Sequence, residues 1–322
     1  MIGHYPTPVS ELSGLATESS RLWVKRDDLT HARYGGSKVR KLEALLEQAE
    51  RQRARRILTI GAVGSHHVLA TAFHGTARGF QVAALLVPQP RTPHVEETVR
   101  ASLASGLSAI PLRSYASVPL AVMRERRRDD FWIPLGGSCP LGSDGYRLAA
   151  HELAEQIARG ELPEPEWIVV ALGSGGTAAG LAAGLAEVGL STRVLAVAVS
   201  KPVIALRFML QRRLQELGLD RAMTKCAAGK LVVDGSYVGA GYGYATDAAT
   251  RAVSLAHAEG LALDMTYTAK AFAAALALRE KAKTILYWHT LASQDVRLLG
   301  PTQAAVTQEP LLLTPDIARL LR

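Results

Sequence analysis

Strand-length apolar runs alternate with helical segments rich in Ala and Leu, and no other feature of the chain restricts its fold as much. The runs Ile57–Ile60, Val82–Val87, Trp167–Leu172, Val194–Val199 and Thr284–Trp288 are nearly continuous rather than alternating with polar residues. Strands buried on both faces of a parallel sheet read this way. Helical patterns separate them at Lys38–Arg53, Val68–Arg78, Tyr146–Ala158, Thr177–Glu187, Asp247–Ala258 and Thr268–Arg279. Parallel neighbours need long crossovers, and helices of this length supply them, so the pattern predicts an α/β fold with helices on both faces of a mostly parallel sheet. With 322 residues, 48% of them hydrophobic, the chain exceeds what one domain of roughly 100–200 residues needs. The break points divide it into a small α/β unit over 48–148 and a larger unit made from 1–47 and 149–322.

Composition narrows the function classes. The chain opens on no apolar run of signal-peptide type, and none of its apolar stretches has the roughly 18 residues a membrane span requires, so a cytoplasmic enzyme with no membrane partner is expected. Cys139 and Cys226 stand far apart without CxxC or His-spaced partners, which signals neither a disulfide framework nor a metal site. The formal charge of +8 raises the question of nucleic acid. Its main clusters, Arg51 to Arg56 and Arg124 to Arg128, end predicted helices and carry no interleaved aromatics, so no nucleic-acid partner is expected. A basic surface also attracts small anions such as a phosphorylated cofactor or a substrate carboxylate.

Three strand-to-helix turns carry chemistry. Trp167–Leu172 runs into Gly173, Ser174, Gly175, Gly176 and Thr177, where a small-residue helix starts at once. Free N–H groups and the helix dipole at such a turn favour an anion, and a monophosphate suits it best. Gly173, Gly175 and Ala178 formally meet the dinucleotide spacing as well, but the next strand ends at Ser200 and Lys201 instead of the acidic residue a ribose needs. A purely structural tight turn is the third reading. Lys38 follows Gly35, Gly36 and Ser37 at the first turn of a helix, where burial and the dipole favour a neutral, nucleophilic amine, although an ordinary solvated helix start has the same spacing. Gly61 to His67 joins another strand to a helix; Ser65 either caps that helix or grips a carboxylate with the backbone after it, and His66 and His67 are adjacent, so they share no helix face for a metal. Tyr242 and Tyr267 lie in loops beside glycines or a helix start, where a hydroxyl either packs or relays a proton.

In order along the chain stand Pro6-Thr7-Pro8, Leu22-Trp23-Val24-Lys25-Arg26-Asp27-Asp28-Leu29, Gly35-Gly36-Ser37-Lys38, Arg40-Lys41-Leu42-Glu43, the Ser65 turn, Gly173 to Thr177 and Tyr267-Thr268-Ala269-Lys270. This ordered set resembles the pyridoxal-phosphate enzymes of the D-cysteine desulfhydrase and 1-aminocyclopropane-1-carboxylate deaminase family, within the tryptophan-synthase-β-like fold (fold type II), whose two open twisted sheets are mostly parallel. The resemblance implies pyridoxal 5′-phosphate as cofactor, Lys38 as Schiff-base lysine and mover of the substrate α-proton, and Gly173 to Thr177 as the phosphate cradle. It further implies Ser65, with His66 and His67, at the substrate carboxylate, Tyr242 and Tyr267 flanking the substrate, Thr268 at the pyridine nitrogen, and a homodimer. The deaminases resemble one another in having Glu where this chain has Thr268. A neutral hydroxyl there points instead to α,β-elimination on a small amino acid, giving a 2-oxo acid and ammonia.

Departures from the family pattern gather at the substrate. Gly64 and His66 stand where Gln and Asn are usual, Leu291 and Ala292 where two glycines are, Met265 for Pro and Ala269 for Gly. Loss of a Gln side chain at Gly64 is expected to open space, and a larger or unusual amino acid becomes the expected substrate. β-Replacement or deamination of such an amino acid, a non-catalytic binder of cofactor or amino acid, and an NADP oxidoreductase are the competing readings.

Overall fold

A computed structural model describes residues 1–299 and 313–321. In chain order its elements are β1 (Val9–Glu11), β2 (Arg21–Arg26), α1 (Ser37–Arg51), β3 (Arg56–Ala62), α2 (His66–Ala77), β4 (Gln81–Val87), α3 (Pro93–Ala104), β5 (Leu107–Pro111), α4 (Val118–Glu125), β6 (Asp130–Ile133) and α5 (Pro140–Ala158). There follow β7 (Trp167–Leu172), α6 (Gly176–Glu187), β8 (Arg193–Ala198), α7 (Val203–Gln215), α8 (Arg221–Lys230), β9 (Leu231–Asp234), α9 (Asp247–Ala258), α10 (Thr268–Leu278), β10 (Thr284–His289) and α11 (Pro315–Ala318).

The larger unit comprises Gly3–Lys41 and Ser138–Ser293. Its six-stranded sheet has the order β1-β2-β10-β7-β8-β9, with β1 alone antiparallel. Apolar side chains fill both faces: Leu172, Val170 and Trp288 with α5 and α6 on one side, Val169, Tyr287 and Val24 with α9 and α10 on the other. Asp27, Gly173 and Thr290 each follow the carboxyl end of a parallel strand of this sheet, the edge where ligands of open α/β sheets bind.

The smaller unit comprises Leu42–Gly137 and the described part of Gln294–Arg322. Its four strands, in the order β5-β4-β3-β6, are all parallel. The sequence reading assigned the C-terminal segment to the larger unit, and there the structure differs. Gln89 donates its backbone N–H to the Leu320 carbonyl at 3.0 Å and pairs with Leu321, so the chain end extends the small sheet's carboxyl edge. Arg56 departs too: it opens β3 instead of closing a helix, and its guanidinium holds the Asp130 carboxylate at 2.6 Å. Among the described residues no helix is long and apolar enough to cross a membrane.

Candidate active site

Lys38 is the second residue of α1, and the loop before that helix fixes its position. Gly36 has φ +92°, which favours glycine, and a Cβ there would come within 2.9 Å of the Thr290 carbonyl. The Ser37 N–H donates to that same carbonyl at 2.9 Å. Leu291 and Ala292, the residues that replace the expected glycines, therefore belong to the strap pressed against the turn that carries Lys38.

A buried charged network holds the start of α1 to the sheet. Asp27, fully buried, accepts from Arg40 Nε at 2.9 Å, Trp288 Nε1 at 2.7 Å, the Tyr146 hydroxyl at 2.9 Å and the Thr7 hydroxyl at 3.0 Å. Arg40 also reaches Glu152 Oε2 at 2.9 Å, and Lys25 Nζ reaches Glu152 Oε1 at 2.5 Å and the Gln156 amide oxygen. Burial alone would raise the Asp27 carboxyl, but the Arg40 guanidinium, together with the Trp288 hydrogen bond and Lys25, holds the group below the usual carboxylate range. The run Trp23 to Leu29 thus serves as an anchor for the helix bearing Lys38.

The Lys38 amine is partly buried and donates to Ser37 Oγ at 2.8 Å. Burial draws its pKa down from 10.5 to about 8, against an opposing pull from the Asp264 carboxylate. Lys41, one helical turn on, is 2% exposed; burial, with repulsion from Lys38, pushes it well below its ordinary value.

Lys41 Nζ donates to Ser138 Oγ at 3.0 Å, and Ser138 Oγ meets Ser174 Oγ at 2.7 Å and accepts the Gly176 N–H at 3.3 Å. Gly175, at φ +85°, caps the twelve-residue helix α6 and turns the chain so that its N-terminus faces these groups. Ser143 Oγ is buried beside Gly176 and has no hydrogen-bond partner among the described residues. An orphaned hydroxyl, a buried lysine, two further hydroxyls and a helix N-terminus make a donor set of the chemistry a phosphate needs. The residues present fit pyridoxal phosphate. Lys41, Ser138 and Ser143 were missed from sequence because Ser138 and Ser143 lie 30 or more residues before the glycine turn and only the fold brings them to it.

The tyrosines meet. Tyr267 O–H donates to the Tyr242 hydroxyl at 3.0 Å, the rings stand edge to face, and Tyr267 packs against Gly173. Thr268 starts α10, with its hydroxyl 2.7 Å from Asp264 Oδ2. Lys38, Gly173 to Thr177, Tyr242, Tyr267 and Thr268 all lie in the larger unit.

Ser65, His66 and His67 lie in the smaller unit. Ser65 caps α2, its Oγ accepting the His67 N–H at 3.2 Å. His66 Nε2 meets His94 Nε2, from the start of α3, at 2.8 Å. His67, expected at the substrate, instead faces the core at 3% exposure, 2.8 Å from Thr59 Oγ1. Thr59 gives its one hydroxyl proton to the Ile133 carbonyl, which makes His67 Nε2 the donor in that pair. The space expected at Gly64 is filled: a Cβ there would meet Val95 Cγ1 at 2.7 Å.

A lysine with a lowered pKa, a helix N-terminus lined by donors and a tyrosine pair, arranged along the carboxyl edge of a parallel sheet, are the groups a phosphorylated aldehyde cofactor would need. The profile of the family described as "Pyridoxal-phosphate dependent enzyme" matches residues 1–290, and the chain belongs to that family. It is 36% identical over 309 residues to nocardicin C-9′ epimerase of Nocardia uniformis subsp. tsuyamanensis, covering 92% of this chain and 93% of that protein. It is 34% identical over 280 residues to D-cysteine desulfhydrase of Salmonella choleraesuis (strain SC-B67), covering 83% and 84%. Among solved structures it resembles an ACC deaminase homologue with a TM-score of 0.77 at 27% identity, over 91% of each chain. The fold is that of the fold type II enzymes expected from the sequence.

Proposed function

We propose that the chain is a lyase that carries out α,β-elimination on a small amino acid in the manner of D-cysteine desulfhydrase, releasing a 2-oxo acid and ammonia. The observation that carries this reading is the Lys38 amine, partly buried and drawn down to about 8, in the same unit as the glycine turn and the tyrosine pair. Lys38 would hold the cofactor's aldehyde carbon, Gly173 to Thr177 with Lys41 and Ser138 its phosphate, and Thr268 its ring nitrogen. Bound pyridoxal phosphate supplies the conjugated system that takes up the electron pair left when the Cα–H bond breaks. Once the substrate amine has taken its place at the aldehyde carbon, the released neutral Lys38 amine would remove that proton. The Tyr267–Tyr242 hydroxyl pair flanks the substrate and delivers a proton to the departing β-substituent, while Ser65 and the N–H groups after it hold the carboxylate. A cytoplasmic homodimer belongs to the same proposal.

The test is a panel of D- and L-amino acids with 2-oxo acid and ammonia detection, alongside borohydride trapping and peptide mass mapping. A cofactor adduct on the Lys38 peptide and loss of turnover in Lys38→Ala are expected; an adduct on another lysine sinks the reading.

Epimerisation at Cα is the second reading, favoured by the 36% identity to an epimerase over most of both chains. Both reactions begin with the same proton removal and differ in whether the proton returns on the opposite face. In deuterated water, epimerisation yields deuterated amino acid of inverted handedness and no 2-oxo acid.

A further inference from the structure

A threonine hydroxyl has one proton and two lone pairs. Thr268, 1% exposed, uses one lone pair to accept the Asp264 backbone N–H at 2.7 Å. Its proton has two acceptors within reach, the Asp264 carboxylate Oδ2 at 2.7 Å and the Asp264 carbonyl at 3.3 Å. The shorter bond to a charged oxygen is the stronger, so the proton goes to the carboxylate. That carboxylate is itself fixed: Oδ1 accepts from the N–H groups of Thr266 at 2.9 Å and Tyr267 at 2.7 Å, and Oδ2 from the N–H of Thr268 at 3.2 Å. What Thr268 has left for a ligand is a lone pair and no hydrogen.

We infer that Asp264 is a positioning residue that sets the polarity of Thr268, making it an acceptor that holds the cofactor's ring nitrogen as N–H⁺. The inference rests on the reading above that Thr268 meets that nitrogen. A partner arriving as an acceptor would have to break the Thr268–Asp264 bond, whereas one arriving as a donor completes the chain from ring to hydroxyl to carboxylate, and the buried anion favours the positive charge. A protonated ring withdraws electrons more strongly, so the pair left on Cα persists long enough for the proton to return as well as for a β-substituent to depart.

The experiment loads apoprotein with pyridoxal phosphate isotopically labelled at the ring nitrogen and records that nitrogen's NMR resonance. Wild type is expected at the upfield, protonated position. In Asp264→Asn the side-chain N–H₂ replaces Oδ2 and donates to Thr268, turning the hydroxyl proton outward, so the resonance moves downfield to the unprotonated position; Asn keeps the Oδ1 bonds of the turn. Thr268→Val, which removes the acceptor, also moves it downfield. A wild-type resonance at the unprotonated position, with a change on Thr268→Val, overturns the inference and leaves the placement of Thr268 standing. Retention of the protonated position in Asp264→Asn overturns it too. If Thr268→Val leaves the wild-type resonance unmoved while the Lys38 adduct forms, the ring nitrogen does not meet Thr268 and the underlying reading fails instead.

Discussion

Lys38 and Ser65 show how much a side chain owes to the turn that carries it. With its amine near 8, Lys38 has a neutral fraction at pH 7 on the order of a few hundredfold larger than a solvated lysine would have. Capture of the cofactor aldehyde by apoprotein needs the neutral amine, so its rate should climb with pH and level off above about 8; stopped-flow absorbance that kept climbing towards 10 would show an ordinary lysine. Ser65 holds a cap whatever else it does, and its two readings separate by substitution. Ser65→Ala should lose roughly 1 kcal/mol of stability. Ser65→Asp keeps the cap but sets a negative charge against a substrate carboxylate, so denaturation should be near wild type while KM rises at least tenfold. An unchanged KM in Ser65→Asp would leave the residue with capping alone.

At the level of elements, legibility from sequence followed burial and locality. The largely buried strands β3, β4, β7, β8 and β10 were readable because parallel strands covered on both faces are written as nearly unbroken apolar runs. The strands β1, β6 and β9 were not, being only three or four residues long and half exposed. The helix α3 follows Pro88 and Pro90 and opens on Pro93, in a first turn where proline is tolerated. Lys25, Asp27 and Asp28 look like a solvated charge run until Arg40, Glu152 and Trp288 arrive from three other elements. The glycine turn and Lys38 stand out in the sequence because their spacing is local; Lys41 and Ser138 do not, because their contact is tertiary. The anchor predicts its own failure. Asp27→Asn leaves Arg40 buried with a weakened partner, and loss of a buried ion pair costs about 3–5 kcal/mol. Urea denaturation should show that loss, and a variant within 1 kcal/mol of wild type would mean that Glu152 alone satisfies Arg40.

For the whole molecule, the buried titratable groups combine into one pH profile of stability. Asp27 and Glu152 lie below their usual values of 3.8 and 4.5 in the folded state, because Arg40 and Lys25 together offset their burial. Their stabilisation is complete above those unfolded values and is lost as pH falls through the folded ones, which places the acid edge below about pH 4.5. Lys38 and Lys41 act on the other flank. Burial lowers both beneath 10.5, so between the folded values and 10.5 the unfolded chain binds more protons and stability rises with pH. Tyr34, Tyr146 and Tyr287 are pushed upward by burial, so above about 10 the unfolded chain gives up protons the folded one keeps, and stability falls again. Apoprotein is therefore expected to be most stable between about pH 9 and 10 instead of near neutrality. Loading the cofactor ties up the Lys38 amine and should flatten the rise that begins near pH 8. Chemical denaturation of both forms from pH 3 to 11 measures the profile; an apoprotein curve that declines from pH 7 to 9 would mean that the lysines near the glycine turn are solvated.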